Sequence, residues 1–339
     1  MNHHQPARTA TTRRWLACAL VALGALLLGG CGDAPRAPLA VGMNAWVGYD
    51  PLVLARDRGL IDPSRVKVVE LASGTEVQRS LRNGLLDAAA ITLDEALRLQ
   101  EAGMDLRVVA VLDVSAGADV VIAHPSITTP AALQGQFVAV EDSSVGALML
   151  QRMLQQAGLT RADVKLVNME ASQHLGALQD GRVSAAVSYA PVAGPLLEAG
   201  FVAIFDSAQI PGEIVDVLVV RQAVLAQRPA DVDALLKAWD TGLRQLQSDP
   251  QAAAEALARG TDLSADDYRT VLRGLRFVPL AGSLQMLQGS PPGIDAAAQS
   301  VARALIEIGA VQAAPALASL IDVAPLQRVL AARPAEPRP

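Results

Sequence analysis

Aromatic, hydroxyl and carboxylate side chains fall where predicted strands end and predicted helices begin, the position at which open α/β sheets bind ligands. Aromatic rings hold ligands by stacking or by cation–π contact. Free N–H groups at a helix start can hold an anionic oxygen. The candidate ligand-binding residues are Trp46, Tyr49, Ser73, Gly74, Thr75, Thr92, Asp113, Asp119, Ser143, Ser144, Gly146, Tyr189 and Asp216.

Each candidate also has a purely structural interpretation. Trp46 and Tyr49 could pack the interior, although a Trp in a loop after a strand is poorly placed for a core. Ser73 could cap the following helix, and Thr92-x-x-Glu95 has the pattern of a capping box. Each Asp, taken singly, could cap a turn. For the hydroxyl residues, capping and ligand binding are compatible roles.

Negative charge next to one candidate segment bears on the chemistry of the ligand. Glu141-Asp142 directly precedes Ser143-Ser144. A carboxylate beside an anion site weakens it, because like charges repel. This arrangement argues against a simple inorganic anion as the ligand.

Catalytic motifs are incomplete in this sequence. Asp142-x-Ser144-x-Gly146 resembles a nucleophile elbow but lacks the first Gly that relieves its tight turn. His124 follows a strand, and His174 lies on a predicted helix, where we expect it to face solvent. There is no H-E-x-x-H, P-loop or G-x-G-x-x-G motif. We therefore expect no catalysis, no cofactor and no metal.

The first 31 residues predict a cleaved export signal. Residues 1–14 are basic, residues 15–28 are apolar, and Leu28-Gly29-Gly30-Cys31 resembles a bacterial lipobox. In that interpretation Cys31 carries lipid and anchors the protein to a membrane of the cell envelope; an ordinary signal cut near a chance Cys is the alternative. The other Cys lies inside the signal, so no internal disulfide is expected.

Composition favours a globular domain. The net charge is −6 with 51% hydrophobic residues and no basic patch, which gives no reason to expect a nucleic-acid partner. Roughly 300 mature residues suffice for about two domains with their own cores. Residues 333–339 read as a flexible tail.

Short apolar runs alternate with helical periods through most of the chain, which predicts an α/β fold with mixed, mostly parallel sheets and flanking helices. The rhythm restarts near residue 119 and returns near residue 213, where EIVDVLVVR reads as a strand. We expect lobe 1 to comprise residues 38–118 plus 213–332 and lobe 2 residues 119–212. The part beyond residue 221 is expected to be entirely helical. Asp50 is expected to be the N-cap of the helix that Pro51 opens.

Five segments, in order, resemble the nitrate/sulfonate/taurine family of solute-binding proteins of ABC importers. They are NAWVGYDPLVLARDRGL, SGTEVQRSLRNGLLDAAAITLDEAL, VEDSSVGALML, YAPVAGPLLEAG and EIVDVLVVR. The resemblance implies a two-lobed, type II-like periplasmic-binding-protein fold. It also implies a monomeric periplasmic receptor that captures a small solute by clamp closure and passes it to a permease and ATPase.

The resemblance leaves the ligand open among several classes. In the taurine-like branch, an acid at the position of Asp119 pairs with a ligand amine, so a zwitterion such as taurine fits; other sulfonates and nitrate belong to the same family. The related pyrimidine-binding branch, which captures thiamine precursors, also accommodates acids beside Trp and Tyr. A receptor that signals to a membrane protein is a further alternative.

Overall fold

The computed structural model describes residues 36–261, 263–314 and 316–332. The predicted signal peptide, the predicted lipidation site Cys31 and the predicted tail at 333–339 lie outside the described residues. Among the described residues, no helix combines the length and the apolar character needed to cross a membrane.

Eleven strands are present in the described residues. They are β1 (Leu39–Asn44), β2 (Val66–Leu71), β3 (Ala88–Thr92), β4 (Leu106–Ser115), β5 (Asp119–Ala123), β6 (Phe137–Val140), β7 (Lys165–Asn168), β8 (Ala185–Tyr189), β9 (Val202–Asp206), β10 (Val215–Arg221) and β11 (Leu275–Phe277).

The helices of the described residues flank these strands and fill the C-terminal part. They are α1 (Asp50–Asp57), α2 (Gly74–Arg82), α3 (Leu93–Glu101), α4 (Gly146–Gln156), α5 (His174–Gln179), α6 (Ala193–Glu198), α7 (Gln222–Gln227), α8 (Pro229–Ser248), α9 (Pro250–Ala258), α10 (Ala265–Leu272), α11 (Leu280–Leu287), α12 (Asp295–Glu307), α13 (Leu317–Leu320) and α14 (Ala324–Ala331). Short 3-10 helices cover Val47–Tyr49, Pro130–Leu133, Arg161–Asp163, Ala171–Gln173 and Ser207–Gln209.

The strands form two mixed sheets. The first sheet has the order β11-β4-β10-β3-β1-β2, and the second has the order β7-β6-β8-β5-β9. The outer βαβ units are parallel, as the alternating pattern predicts: β1 with β2 and β3, and β6 with β7 and β8. The sheets contain more antiparallel pairing than expected. The strands β5 and β10 begin where the chain passes from one sheet to the other, and each runs antiparallel to its two neighbours.

The C-terminal part is mainly helical and adds one unexpected strand. β11 pairs antiparallel with β4 inside a region expected to be entirely helical. Its three residues are too few to show a period-2 pattern in the sequence. The helix α11 contributes to the core: its Ser283 hydroxyl accepts a 2.7 Å hydrogen bond from the Val111 backbone N–H.

Close helix packing places α1, and with it the Trp46–Tyr49 segment. Gly242 of α8 lies so near α1 that a Cβ there would come within 1.8 Å of the Pro51 carbonyl oxygen. The expectation that Asp50 is an N-cap is wrong. Asp50 begins α1, is buried, and accepts a 2.5 Å hydrogen bond from the Tyr268 hydroxyl of α10.

Candidate ligand-binding site

A small cavity of about 20 Å³ lies between strand ends of the first sheet, at Asn44, Thr92 and Asp216, and strand ends of the second sheet, at Asp119 and Tyr189. Seven of the candidate residues line it: Trp46, Tyr49, Thr92, Asp119, Ser144, Tyr189 and Asp216, together with Asn44, Glu95, Val145 and Ile214. A second cavity of about 10 Å³ shares Asp119, Ser144, Val145 and Tyr189 with it and is also lined by Gly146. Such volumes accommodate roughly one water molecule each.

Strand register brings the polar side chains of the cavity together. In the first sheet Asp216 of β10 lies between Thr92 at the end of β3 and Asp113 near the end of β4. In the second sheet Asp119 opens β5 opposite Tyr189 at the end of β8. Only three residues connect β4 of the first sheet to β5 of the second. The acids near the end of β4 and at the start of β5, Asp113 and Asp119, therefore lie close to each other.

Two aromatic side chains, Trp46 after β1 of the first sheet and Tyr189 at the end of β8 in the second, form an aromatic wall of the cavity. Trp46 and Tyr189 meet edge to face, with ring centroids 6.0 Å apart and an interplanar angle of 76°. The Tyr49 hydroxyl donates a 2.5 Å hydrogen bond to Asp216 Oδ1. Trp46 is only 6% exposed and belongs to the core cluster, so it packs the interior and lines the cavity at once.

Burial makes the acids around the cavity unusually weak. It raises the pKa of Asp119 to about 7. It also raises the pKa of Asp113 to about 8, with the nearby charge of Asp119 adding to the effect. The pKa of Asp216 is raised well above its ordinary value, first by burial and then by Asp113. Neutral carboxyl groups are therefore abundant here near neutral pH.

Glu95 extends this acidic group from the first turn of α3. Its carboxylate completes the predicted capping box by accepting from the Thr92 backbone N–H at 3.1 Å. It also accepts a 2.5 Å hydrogen bond from the hydroxyl of Ser144, which follows β6 of the second sheet. Burial, followed by the charge of Asp94, raises the pKa of Glu95 to about 8.

Three buried polar atoms around the second cavity have no hydrogen-bond partner among the described residues. They are Asp119 Oδ2, Glu141 Oε2 and Ser188 Oγ. Among the described residues, no Arg, Lys or His lines either cavity. Unpaired buried acceptors are costly, and an N–H donor satisfies them.

The remaining candidates line neither cavity; they are Ser73, Gly74, Thr75, Ser143 and Asp113. Ser73 caps α2, accepting a 3.2 Å hydrogen bond from the Glu76 backbone N–H. Thr75, at the start of α2, and Ser143, between β6 and α4, lie on the two sides of the cleft between the first and second sheets, and their hydroxyl oxygens are 2.6 Å apart. A Cβ on Gly74 would come within 2.6 Å of Ser144 Oγ, so Gly74 permits close approach of the two halves.

Asp113 is fully buried and does not line the cavity. It lies beside Gly48 together with the Trp46 ring: a Cβ on Gly48 would come within 2.3 Å of Asp113 Oδ2 and 2.2 Å of Trp46 Nε1. Asp113 is therefore a neighbour of the Trp46 indole and contacts the ligand cavity only through residues that line it.

Sequence reasoning missed some lining residues. Asn44 is a polar residue at the end of a buried strand, which is the signal that could have found it. Glu95 was interpreted only as a capping residue, and Glu141 only as a nearby charge. Ser188 and Ile214 carry no distinguishing pattern in the sequence.

The Ser144 hydroxyl has a carboxylate of Glu95, not an imidazole, as its partner. The expectation that His174 faces solvent is wrong, since it is fully buried, and burial lowers its pKa to about 4. Within the described residues, no group of three or more His, Cys, Asp or Glu side chains is arranged to hold a metal ion.

Solved structures define the class of fold. The crystal structure of the periplasmic aliphatic sulphonate binding protein SsuA from Escherichia coli matches with a TM-score of 0.69 at 21% identity, covering 84% of this chain and 92% of that one. The desulfurization enzyme DSZB matches with a TM-score of 0.63 at 17% identity, covering 87% and 99%. The chain has the two-lobed periplasmic-binding-protein fold, which carries both binding proteins and an enzyme.

Sequence comparison defines the family. The model of the NMT1-like family matches residues 32–259, and the chain belongs to that family. A curated relative from Escherichia coli strain K12, named an aliphatic sulfonates-binding protein, is 27% identical over 184 residues. The match covers 52% of this chain and 58% of the relative, so it spans little more than half of the relative's length. The resemblance to sulfonate-binding components of ABC importers is thereby confirmed at the level of the family.

Proposed function

We propose that this protein is the extracytoplasmic substrate-binding component of an ABC importer and that it captures a small solute carrying a cationic nitrogen. The observation that carries the proposal is the lining of the two small cavities: buried carboxyl groups and aromatic rings, with no cationic side chain among the described residues that line them. An ammonium or amidinium group can donate to the unpaired oxygens of Asp119 and Glu141 and stack against Trp46.

The chemistry of the acids supports a cation over a bare anion. A positive charge next to a buried carboxyl group lowers its pKa, because it stabilises the ionised form. Asp119, with a pKa of about 7, is poised to ionise when such a ligand arrives. Binding should therefore release protons and strengthen as the pH rises from 6 to 8.

Ligand entry requires the two halves to separate, because the cavities hold only about 20 and 10 Å³. Several hydrogen bonds join the halves at the cleft: Ser144 to Glu95, and the Gln78 side-chain amide to the Ser143 carbonyl oxygen at 2.9 Å. We propose that residues 119–212 move against residues 38–118 plus 213–332 and close on the ligand. Closure is a population shift that ligand contacts from both halves favour.

An aminosulfonate such as taurine carries an ammonium group at neutral pH and meets this description; an aminopyrimidine meets it when its ring nitrogen accepts a proton from one of the carboxyl groups. The sulfonate-binding relatives favour the first class. The acid lining beside Trp46 and Tyr189 favours the second, because an aminopyrimidine has a ring for stacking and several N–H donors. Amine-free sulfonates and nitrate fit the lining less well.

The remaining parts of the proposal concern the location and partners of the protein. Cys31 is proposed as a lipid anchor that holds a monomeric receptor at the envelope membrane, beside a permease and an ATPase. The family match begins at residue 32, directly after this Cys. A receptor for a membrane signalling protein remains the second candidate for the use of the same clamp. In both cases the ligand leaves chemically unchanged.

A thermal-shift screen of residues 32–339 tests the proposal. The panel pairs taurine with ethanesulfonate and an aminopyrimidine with its amine-free analogue, and it includes nitrate. A ligand at 100 times its dissociation constant adds about 2.7 kcal/mol to stability. We expect a shift from an amine-bearing member only, lost in Asp119→Asn and retained in the exposed control Asp180→Asn. A shift from nitrate or ethanesulfonate equal to that of the amine-bearing partner would contradict the proposal.

A further inference from the structure

The N-terminus of helix α2 is occupied by a carboxylate of the chain itself. Glu141, which follows β6 in the second sheet, accepts a hydrogen bond from the Thr75 backbone N–H at 2.8 Å. The same oxygen accepts a 2.5 Å hydrogen bond from the Thr75 hydroxyl. Glu141 is only 5% exposed, so this contact is made away from solvent.

This carboxylate takes the place that an anionic ligand group would use. The first N–H groups of a helix have no partner within the helix, and its dipole attracts negative charge there. Thr75 and Ser143 hydroxyls also converge at this point. With Glu141 in place, the donors of Thr75 are already satisfied and the local charge is negative.

Other acids reinforce the exclusion of anions but do not occupy the backbone N–H. Glu170 accepts a 3.2 Å hydrogen bond from the Ser73 hydroxyl at the same helix start. Glu95 Oε1 lies within 2.8 Å of the position that a Cβ on Gly74 would take. Glu141 differs from both because one oxygen accepts from α2 while the other, Oε2, is buried without a partner beside the second cavity.

We propose that Glu141 is a specificity-determining residue that acts as a built-in anion. It competes with sulfate and with the sulfonate of a solute for the N-terminus of α2, so that the sulfonate of a ligand such as taurine would be held elsewhere in the cleft, and it presents its second oxygen to a ligand donor. Like charges placed together in a desolvated site are a strong means of rejecting a wrong ligand. This inference deepens the proposed function, since it rests on the cleft between the two halves being the ligand site.

Variants of Glu141 test the competition directly with methanesulfonate and sulfate as probes. Glu141→Ala frees both donors of Thr75, whereas Glu141→Gln removes the charge but leaves an amide oxygen able to accept from them. Titration calorimetry at pH 7 should show methanesulfonate binding at least about tenfold tighter to Glu141→Ala than to the wild type, with a smaller gain for Glu141→Gln. Glu170→Gln, the matched loss of charge, should change the affinity less than about threefold.

Unchanged or weaker binding of both probes by Glu141→Ala would overturn the proposal. A gain in Glu170→Gln equal to that in Glu141→Ala would also overturn it, because general charge repulsion would then explain the effect. Circular dichroism and thermal melting without ligand establish that each variant is folded, and Glu141→Ser, which restores a small polar group, serves if the alanine variant is not.

The outcome is separable from that of the proposed function. An amine-bearing solute that binds the wild type while Glu141→Ala gains no anion affinity would refute the role of Glu141 alone. A gain of methanesulfonate binding in Glu141→Ala, with no amine-bearing solute bound by the wild type, would refute the proposed ligand class alone.

Discussion

Replacing Asp119 with Asn should make the protein more stable at pH 8 and leave it almost unchanged near pH 4. Asp119 is 2% exposed, and burial holds its pKa at about 7 instead of 3.8. Asn keeps the size of the side chain and resembles the protonated acid. The substitution therefore removes the ionised form, which is the form that burial disfavours.

The pKa shift fixes the magnitude and the sign. One pKa unit is worth about 1.36 kcal/mol, so the shift of Asp119 corresponds to about 4 kcal/mol. Well below pH 3.8 the acid is neutral in both the folded and the unfolded chain, and near pH 4 the difference amounts to less than about 1 kcal/mol. As the pH rises from 4 to 7, the unfolded chain ionises first, and the wild type loses stability progressively. Above pH 7 the loss is complete.

Urea unfolding of wild type and Asp119→Asn at pH 4, 5, 6, 7 and 8 measures this difference. The free energy of unfolding of the variant minus that of the wild type should rise with pH by up to about 4 kcal/mol and then level off. His174 titrates in the same range with opposite sign, since its pKa is lowered to about 4, but it is common to both proteins and cancels. Asp180→Asn, an exposed acid, should show no such trend. A pH-independent difference, or an Asn variant less stable at pH 8, would refute the assignment of a buried, weakly acidic Asp119.

Three further outcomes follow from the cleft and its supports. Trp46→Ala should weaken ligand binding at least about tenfold by calorimetry, whereas the control Trp239→Phe, in the core near the C-terminal helices, should bind as the wild type does. Equal affinities of Trp46→Ala and the wild type would show that the aromatic wall is not part of the ligand site. A Thr75→Cys/Ser143→Cys pair should form a disulfide that blocks ligand exchange until it is reduced, since the two hydroxyls are 2.6 Å apart; exchange in the oxidised form would contradict clamp closure. Gly242→Ala should lower the free energy of unfolding by more than about 2 kcal/mol in urea, because its Cβ would come within 1.8 Å of a backbone oxygen of α1; a stability equal to that of the wild type would mean the helices can move apart freely.

Regular elements were accessible from the sequence because their signals are local. The strand in EIVDVLVVR follows from its apolar run, and the capping box at Thr92 follows from the spacing of Thr92 and Glu95. Elements that depend on distant partners were not accessible. β11 exists because β4 offers an edge, and its three residues carry no period of their own.

The candidate site was predictable in part for the same reason. Strand-tip residues such as Asp119 and Tyr189 stand out as polar or aromatic ends of apolar runs, and the fold brings both to one cavity. The contact between Glu141 and Thr75 joins residues 66 positions apart, and no local pattern reports it. Burial of His174 was also out of reach, because it depends on how a short helix meets the second sheet.

The most direct test is a calorimetric titration of residues 32–339 with matched pairs of solutes whose two members differ only in an amino group. Wild type and Asp119→Asn are compared at pH 7.5 with taurine and ethanesulfonate, and with an aminopyrimidine and its amine-free analogue. The account predicts that the wild type binds the amine-bearing member of one pair at least about tenfold tighter, and that Asp119→Asn abolishes this preference. Equal affinity of the wild type for both members of each pair, or an unchanged preference in Asp119→Asn, would contradict it.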